Sequence, residues 1–176
     1  MKILLCDLTH DTISLANEVF PLNIGFIAAH LLKDKSLGHE VELCKFIIEA
    51  ENLIETNSYD LIAFSNYPWN LEAGLQLARM ATQKNGQTVI VFGGPNFPYD
   101  EDEQIRFLKR RPEIDAYVFQ AGEIPFTQLV NCLAEQASGD RKHFLKETEL
   151  KGIVSLDSAE NRLYGGMVME GKDLDF

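Results

Sequence analysis

The stretch that decides the fold is Thr88-Val-Ile-Val-Phe-Gly-Gly-Pro95, an apolar run that ends abruptly in two glycines and a proline. Because the run is short and does not alternate with polar residues, it predicts a strand buried on both faces, as in a parallel sheet. Gly93 and Gly94 mark the point where the backbone leaves the sheet. Open parallel sheets bind ligands at the carboxyl ends of their strands. The run therefore predicts either a ligand site or a tight turn without a ligand.

Further strands are predicted before and after this run, and they alternate with helices. The predicted strands are Lys2–Cys6, Val41–Phe46, Asp60–Ser65 and Ile114–Phe119. Apolar residues at helical spacing predict helices over residues 26–35, 47–57, 71–84, 100–111 and 125–136. This alternation indicates an α/β protein. Right-handed crossovers favour a three-layer, Rossmann-like (flavodoxin-like) fold, with a parallel five-stranded sheet and helices on both faces.

The last part of the chain is predicted to differ from this pattern. Residues 138–151 are polar and irregular, and two short apolar segments, 152–156 and 162–164, flank a polar turn. We therefore expect an α/β domain over residues 1–137. Residues 138–176 are expected to form an irregular segment and a C-terminal hairpin.

Composition excludes several classes of protein. The formal net charge is −11, and the basic triplet at residues 109–111 falls at the end of a predicted helix, where cations are favoured, so no nucleic-acid partner is expected. No stretch is long enough to span a membrane. Cys6, Cys44 and Cys132 lack metal-ligand spacing, and Cys6 and Cys44 fall in apolar runs typical of a core. These features are typical of a cytoplasmic protein.

The predicted carboxyl edge of the sheet brings together residues 7–11, 65–70, 93–96 and 121–123. These segments carry small residues, amides and hydroxyls. We find no Ser-His-Asp or Cys-His grouping, no phosphate loop with Gly-Lys-Ser/Thr and no G-x-G-x-x-G after the first strand. Such an edge suits a large neutral ligand better than it suits the active site of a hydrolase.

Four segments in the same order resemble the cobalamin (vitamin B12)-binding domain found before the barrel of cobalamin-dependent radical SAM enzymes. They are Pro21–Leu31, Asp60–Ser65, Val91–Pro95 and Gly122–Glu123. The resemblance implies a Rossmann-like domain with the corrin over the carboxyl edge of the sheet and the dimethylbenzimidazole tail inserted beside it. It also implies S-adenosylmethionine and a 4Fe-4S cluster in the intact protein.

The resemblance implies a set of cofactor-binding residues but no catalytic ones. Gly93 and Gly94 would make room for the nucleotide tail, and Glu123 would flank it or simply favour a helix N-terminus. Tyr67 and Trp69 would stack on the corrin or, alternatively, cover the start of a helix. The full predicted set is Ser65, Asn66, Tyr67, Trp69, Gly93, Gly94, Pro95, Gly122 and Glu123.

The chain departs from the family pattern in two places. The motif Asp-x-His-x-x-Gly is absent after the first strand, and the nearest run, Asp7–Thr12, has another spacing and no glycine. We therefore expect no histidine on cobalt, with His10 as the alternative ligand. The radical SAM motif Cys-x-x-x-Cys-x-x-Cys, which would hold the 4Fe-4S cluster, is also absent. This fragment alone is therefore expected not to be catalytic, with the barrel in the same or another chain.

Two functions remain open at this point. The first is a cobalamin-binding domain that serves a radical SAM methyltransferase or related carbon-centred radical chemistry. The alternative is a cofactor-free, flavodoxin-like regulatory or interaction module. A phosphoacceptor receiver domain is excluded because Ser65 and Asn66 stand where it needs an aspartate. Fold alone does not decide, because one fold hosts many functions.

Overall fold

The computed structural model describes residues 1–9, 20–119 and 121–166, and within them seven strands form one sheet. The strand order is β2-β1-β3-β4-β5-β6-β7, with β1 to β5 parallel and β6 and β7 antiparallel. The predicted flavodoxin-like order of the parallel strands is confirmed. The strands are β1 (Lys2–Thr9), β2 (Glu40–Phe46), β3 (Leu61–Ser65), β4 (Val89–Gly93), β5 (Ala116–Val118), β6 (Ile153–Asp157) and β7 (Arg162–Gly165).

Helices cover both faces of the sheet, as predicted. They are α1 (Leu22–Leu31), α2 (Ile47–Thr56), α3 (Leu71–Lys84), α4 (Glu101–Lys109), α5 (Glu123–Ala134) and α6 (Arg141–Leu145), with short 3-10 turns at Lys35–Leu37 and Ser138–Asp140. Helix α1 begins four residues earlier than predicted. Pro21 directly precedes its first residue, and the fixed φ of proline, here −75°, suits a helix start.

The C-terminal hairpin corrects the predicted strand count. It does not stand apart from a five-stranded sheet but continues it, because β6 pairs antiparallel with β5 through Val118–Ile153 and Tyr117–Val154. The segment before it, predicted to be irregular, contains α6. The predicted boundary at residue 137 stays a prediction, although β6 and α6 contribute buried residues to the same core.

The sheet separates two hydrophobic clusters, one on each face. Alternate residues of each strand point to opposite faces. Leu61, Val89 and Ala116 pack with α1, α5 and α6, whereas Ile62, Ile90 and Tyr117 pack with α2, α3 and α4. We call these the α1–α5 face and the α3 face. Both clusters are fully buried, which explains why the strands read as continuous apolar runs.

Helix α6 fastens the amino edge of the sheet through two ion pairs. Asp60 accepts hydrogen bonds from Arg141 Nη1 at 2.6 Å and from the Lys2 backbone N–H at 2.7 Å. Asp115 accepts from the Ile90 N–H at 2.8 Å and lies 3.0 Å from Lys142 Nζ. Partial burial alone would raise the pKa of Asp60, but its hydrogen bonds outweigh this and hold the pKa below its usual range.

Candidate functional site

A pocket of about 350 Å³ opens at the carboxyl edge of the sheet, mainly on the α1–α5 face. Its floor is formed by residues of four neighbouring strands, and its walls by the first turns of α1 and α5. The floor residues are Leu5, Ala63, Val91, Gly93 and Val118, and the walls include Asn23, Ile24, Ile27, Gly122, Glu123 and Phe126. This volume falls in the range of small-molecule sites, and most of the lining is apolar.

The pocket exists because the side chains on the α1–α5 face become smaller toward the carboxyl edge of the sheet. Along β3 the residues on the α1–α5 face run from Leu61 through Ala63 to Ser65. Along β4, Val91 is followed on the same face by Gly93, which lies opposite Ser65 in register. Protein interiors are close-packed, so small residues at adjacent positions leave a space that the neighbouring helices do not fill.

The structure places most of the predicted site residues in the lining of the pocket. These are Ser65, Tyr67, Gly93, Gly94, Pro95, Gly122 and Glu123. Ser65 also donates to the Asp7 carboxylate at 2.5 Å, which joins the ends of β3 and β1. Glu123 occupies the first turn of α5. The helix dipole stabilises a carboxylate at this position, and the same carboxylate can also face a ligand.

Asn66 lies beneath the pocket and not in its wall. Its exposed fraction is 0%, and its side-chain amide donates to Asn96 O at 2.8 Å and to the Tyr117 hydroxyl at 3.0 Å. Burial raises the pKa of Tyr117 well above its usual range, so its hydroxyl is a neutral donor and bonds to Gly94 O at 2.9 Å. The Asn66 side chain is therefore engaged within the protein, and the cofactor contact that the resemblance implied stays a prediction.

The backbone conformation at Gly94 requires a glycine. Its φ is +128°, a conformation that residues with a side chain rarely adopt. A Cβ placed there would lie 2.9 Å from the backbone oxygen of Asn66. At Gly93, a Cβ would lie 3.3 Å from Val118 Cβ, on the pocket floor. Gly93 therefore provides space in the pocket, whereas Gly94 permits the sharp turn beside it.

Tyr67 and Trp69 stack on each other at the rim of the pocket. Their ring centroids lie 4.6 Å apart and their planes differ by 5°. Tyr67 lines the pocket, and its hydroxyl lies 3.5 Å from Asn23 Nδ2 of α1, whereas Trp69 is 61% exposed. The stacked pair leaves a flat aromatic surface open to solvent at the carboxyl edge.

Sequence reasoning missed four pocket residues on the two helices that flank the pocket. The first two turns of α1 supply Asn23, Ile24 and Ile27, and α5 supplies Phe126. Pro21 could have located the start of α1, and hence the face that it presents to the carboxyl edge. Which turn of a helix reaches a sheet edge depends on packing, which sequence periodicity does not specify.

Exposed apolar side chains lie next to the pocket. Ile124 follows the pocket residue Glu123, Phe26 precedes the pocket residue Ile27, and Tyr99 itself lines the pocket. With Trp69 and Phe20, these side chains are between 58% and 72% exposed. We call these five residues the apolar rim. Contiguous exposed apolar patches are typical of ligand or protein contacts, whereas single exposed apolar residues are ordinary.

Cysteines and histidines in the described ranges form no metal centre. No group of three or more His, Cys, Asp or Glu residues there could hold a metal ion. Cys6 and Cys44 are buried and lie opposite each other in the β1–β2 register, and burial raises the pKa of the Cys6 thiol, so both are core residues as predicted. His10 lies outside the described residues. Among the described helices, none is long and apolar enough to cross a membrane.

Two curated proteins resemble this chain in sequence. A 2-(S-pantetheinyl)-carbapenam-3-carboxylate methyltransferase of Streptantibioticus cattleyicolor is 26% identical over 114 residues. TokK, a cobalamin-dependent radical SAM methyltransferase of Streptomyces tokunonensis, is 27% identical over 117 residues. Each match covers 62% of this chain but 16% of the relative, so the chain spans a small part of the length of these proteins.

Two solved structures share the fold. OxsB, a cobalamin-dependent S-adenosylmethionine radical enzyme determined with aqua-cobalamin bound, has a TM-score of 0.61 and 18% identity, covering 94% of this chain and 22% of OxsB. An uncharacterized protein from Neptuniibacter caesariensis has a TM-score of 0.51 and 16% identity, covering 82% of this chain and 94% of that protein.

The B12 binding domain family matches residues 10–130, most of the α/β region and nearly all of the pocket. The match includes the ends of β3, β4 and β5 and the first turns of α1 and α5. It agrees with the resemblance drawn from the sequence and confirms cobalamin as the expected ligand. The chain belongs to the B12 binding domain family.

Proposed function

We propose that this chain is the cobalamin-binding part of a radical SAM enzyme that performs methyl transfer or related carbon-centred radical chemistry. The observation that carries the proposal is the pocket at the carboxyl edge, which lies within the family match and is built by residues that the sequence assigned to cobalamin. The curated relatives support a methyltransferase, although the chain covers a small fraction of their length.

The lining of the pocket supports a site for the nucleotide tail of cobalamin, with the corrin over the edge above it. Apolar walls from Ile24, Ile27 and Phe126 match the flat aromatic base of the tail, and Gly93 removes a side chain from the floor. Ser65, Tyr67 and Glu123 supply polar groups that can hold the ribose, phosphate linker or corrin amides. These residues would hold the tail, and we expect no histidine of this chain to bind the cobalt.

Cobalamin supplies a cobalt centre that can carry a methyl group or an electron. The residues of this chain bind and orient the cofactor and exclude water from the tail. S-adenosylmethionine and the 4Fe-4S cluster belong, in this proposal, to a radical SAM barrel in the same or another chain. The apolar rim supports this partner, because it would lie between the cobalamin domain and a second protein surface.

A comparison of two corrinoids tests the proposal. Hydroxocobalamin carries the nucleotide tail, whereas diaquocobinamide has the same corrin without it. Absorbance titration of the purified chain should show that hydroxocobalamin binds at least roughly tenfold more tightly, a difference of about 1.4 kcal/mol. Equal affinities would contradict a tail in the pocket. Absence of binding to both corrinoids would favour the cofactor-free module.

The histidine alternative has its own test. His10→Ala should leave the visible spectrum of bound hydroxocobalamin unchanged, because no histidine is expected on cobalt. Measurement at saturating protein keeps the bound fraction equal for the variant and the original chain. A shift of the cobalt-sensitive bands would identify His10 as a ligand.

A further inference from the structure

A buried polar network connects the end of β3 to the turn after β4. Asn66 Nδ2 donates to Asn96 O and to the Tyr117 hydroxyl, and the Asn96 side-chain amide donates back to Asn66 Oδ1 at 3.1 Å. The Tyr117 hydroxyl donates in turn to Gly94 O at 2.9 Å. Both hydrogens and the oxygen of the Asn66 amide are therefore used within the protein.

The network fixes a backbone segment that would otherwise be adaptable. Gly93 and Gly94 are adjacent, and glycine has the largest conformational freedom of any residue. The Asn66 N–H donates to Gly93 O at 2.6 Å, and the Asn96 N–H approaches Asn66 O at 3.4 Å. Together with the Tyr117 bond, these contacts hold the turn from several sides and maintain the φ of +128° at Gly94.

The parts of this assembly have different positions relative to the pocket. Gly93, Gly94 and Pro95 line it, whereas Asn66 and Tyr117 are each 0% exposed and lie behind the turn. The Tyr117 ring packs on Phe97 with centroids 3.9 Å apart, so the hydroxyl has a fixed direction. Preorganising a binding segment increases affinity because less conformational entropy is lost on binding.

We propose that Asn66 and Tyr117 are positioning residues for cobalamin, which act through the Gly93–Pro95 turn without touching the cofactor. This inference rests on the proposed function, since it concerns the same pocket. It gives Asn66 an indirect role in place of the direct contact that the resemblance implied. It also assigns a role to Tyr117, a residue on a strand interior that the sequence did not single out.

The alternative is that the network only stabilises the fold, and a matched pair of variants separates the two roles. Tyr117→Phe removes the hydroxyl and keeps the packed ring. Tyr59→Phe is the control, because Tyr59 is 3% exposed and its hydroxyl also donates within the protein, to Glu42. Tyr59 lies before β3, at the opposite edge of the sheet from the pocket. Each variant removes one hydrogen-bonding hydroxyl from a buried tyrosine.

Two measurements give the expected result. Hydrogen exchange of the unliganded chain should be faster for the peptide over residues 93–97 in Tyr117→Phe but not in Tyr59→Phe. The affinity for hydroxocobalamin should fall roughly tenfold in Tyr117→Phe, or about 1.4 kcal/mol, and stay within twofold in Tyr59→Phe. Asn96→Ala, at a half-buried site, should also weaken binding. This variant tests the inference if Tyr117→Phe does not fold.

Several outcomes would overturn the inference. Unchanged exchange in residues 93–97 would show that the network does not hold the turn. Faster exchange with unchanged affinity would show that the shape of the turn does not matter for binding. Equal affinity losses in Tyr117→Phe and Tyr59→Phe would show that the Tyr117 hydroxyl only stabilises the fold. If the original chain binds no hydroxocobalamin, the proposed function itself fails, which is seen without any variant.

Discussion

The two faces of the sheet are filled in opposite ways at the carboxyl edge. On the α3 face, side chains grow toward the edge, from Ile62 to Phe64 on β3 and from Ile90 to Phe92 on β4. Those two phenylalanine rings pack with centroids 5.1 Å apart. On the α1–α5 face, the side chains become smaller toward the same edge, where β3 ends in Ser65 and β4 in Gly93. One face therefore ends in a packed aromatic layer and the other in a pocket.

This difference teaches that one strand can encode a core and a binding site at the same time. Successive residues of a strand point to opposite faces, so neighbouring positions in sequence are free to serve different environments. The pocket arises from missing side-chain volume and not from a special chemical group. The aromatic layer behind it includes Tyr117, whose hydroxyl reaches the glycine turn and so couples the filled face to the open one.

The largest effect is expected from a change that removes support from both faces together. A chain that ends at Ala137 would lose β6, which contributes Ile153 to the α1–α5 face and Val154 to the α3 face. It would also lose the ion pair of Arg141 with Asp60. We expect this chain to show no cooperative unfolding in urea when followed by circular dichroism. A sharp transition at an unchanged midpoint would instead support a domain boundary at residue 137.

A smaller and one-sided effect is expected from filling the pocket floor. Ala63→Leu adds a side chain between Leu5 and Val91, its register partners on the neighbouring strands. Because the added atoms enter an existing space, the free energy of unfolding should change by less than about 1 kcal/mol. The affinity for hydroxocobalamin should fall more than roughly tenfold, at least about 1.4 kcal/mol, in the absorbance titration.

Gly74→Ala on α3 is the matched control on the other face. Its new Cβ would lie 3.1 Å from the Phe92 ring, which is already close-packed. Overpacking should exceed the gain in helix propensity, and the free energy of unfolding should fall by about 1 kcal/mol. Because Phe92 also contributes to the pocket lining, binding should weaken, but by less than in Ala63→Leu. If Gly74→Ala weakens binding as much as Ala63→Leu does, the two faces are not independent and the comparison fails.

The smallest effect is expected at the amino edge, far from the pocket. The folded-state pKa of Asp60 lies below its usual value, so its ion pair stabilises the folded state above the unfolded pKa, about 4. This stabilisation is lost as the pH falls through the folded pKa. Urea unfolding at several pH values should show a weaker acid dependence in Asp60→Asn, with cobalamin affinity unchanged at pH 7. An identical acid dependence would show that Asp60 is not coupled to folding.

Much of the fold and of the pocket could be predicted from the sequence. The apolar runs and their spacing from helical segments led to the parallel strands, because a strand buried on both faces leaves a direct trace in composition. The glycines at 93 and 94 correctly marked the carboxyl edge of the sheet as the one with the pocket. The hairpin was not expected to join the sheet, because its short strands carry no signal for their pairing partner. That partner is the hydrogen-bonding edge of β5 that β4 does not use.

The sequence by itself determined the fold class, the order of the elements and the edge that carries the site, since these follow from local periodicity and from turn residues. Tertiary structure alone decided that the Asn66 side chain points into a buried network, that α1 and α5 wall the pocket, and that α6 binds Asp60 and Asp115. The reason is physical. Periodicity specifies which residues are buried, but the partner that a buried polar group finds depends on segments far away in sequence, which are brought together only when the chain packs.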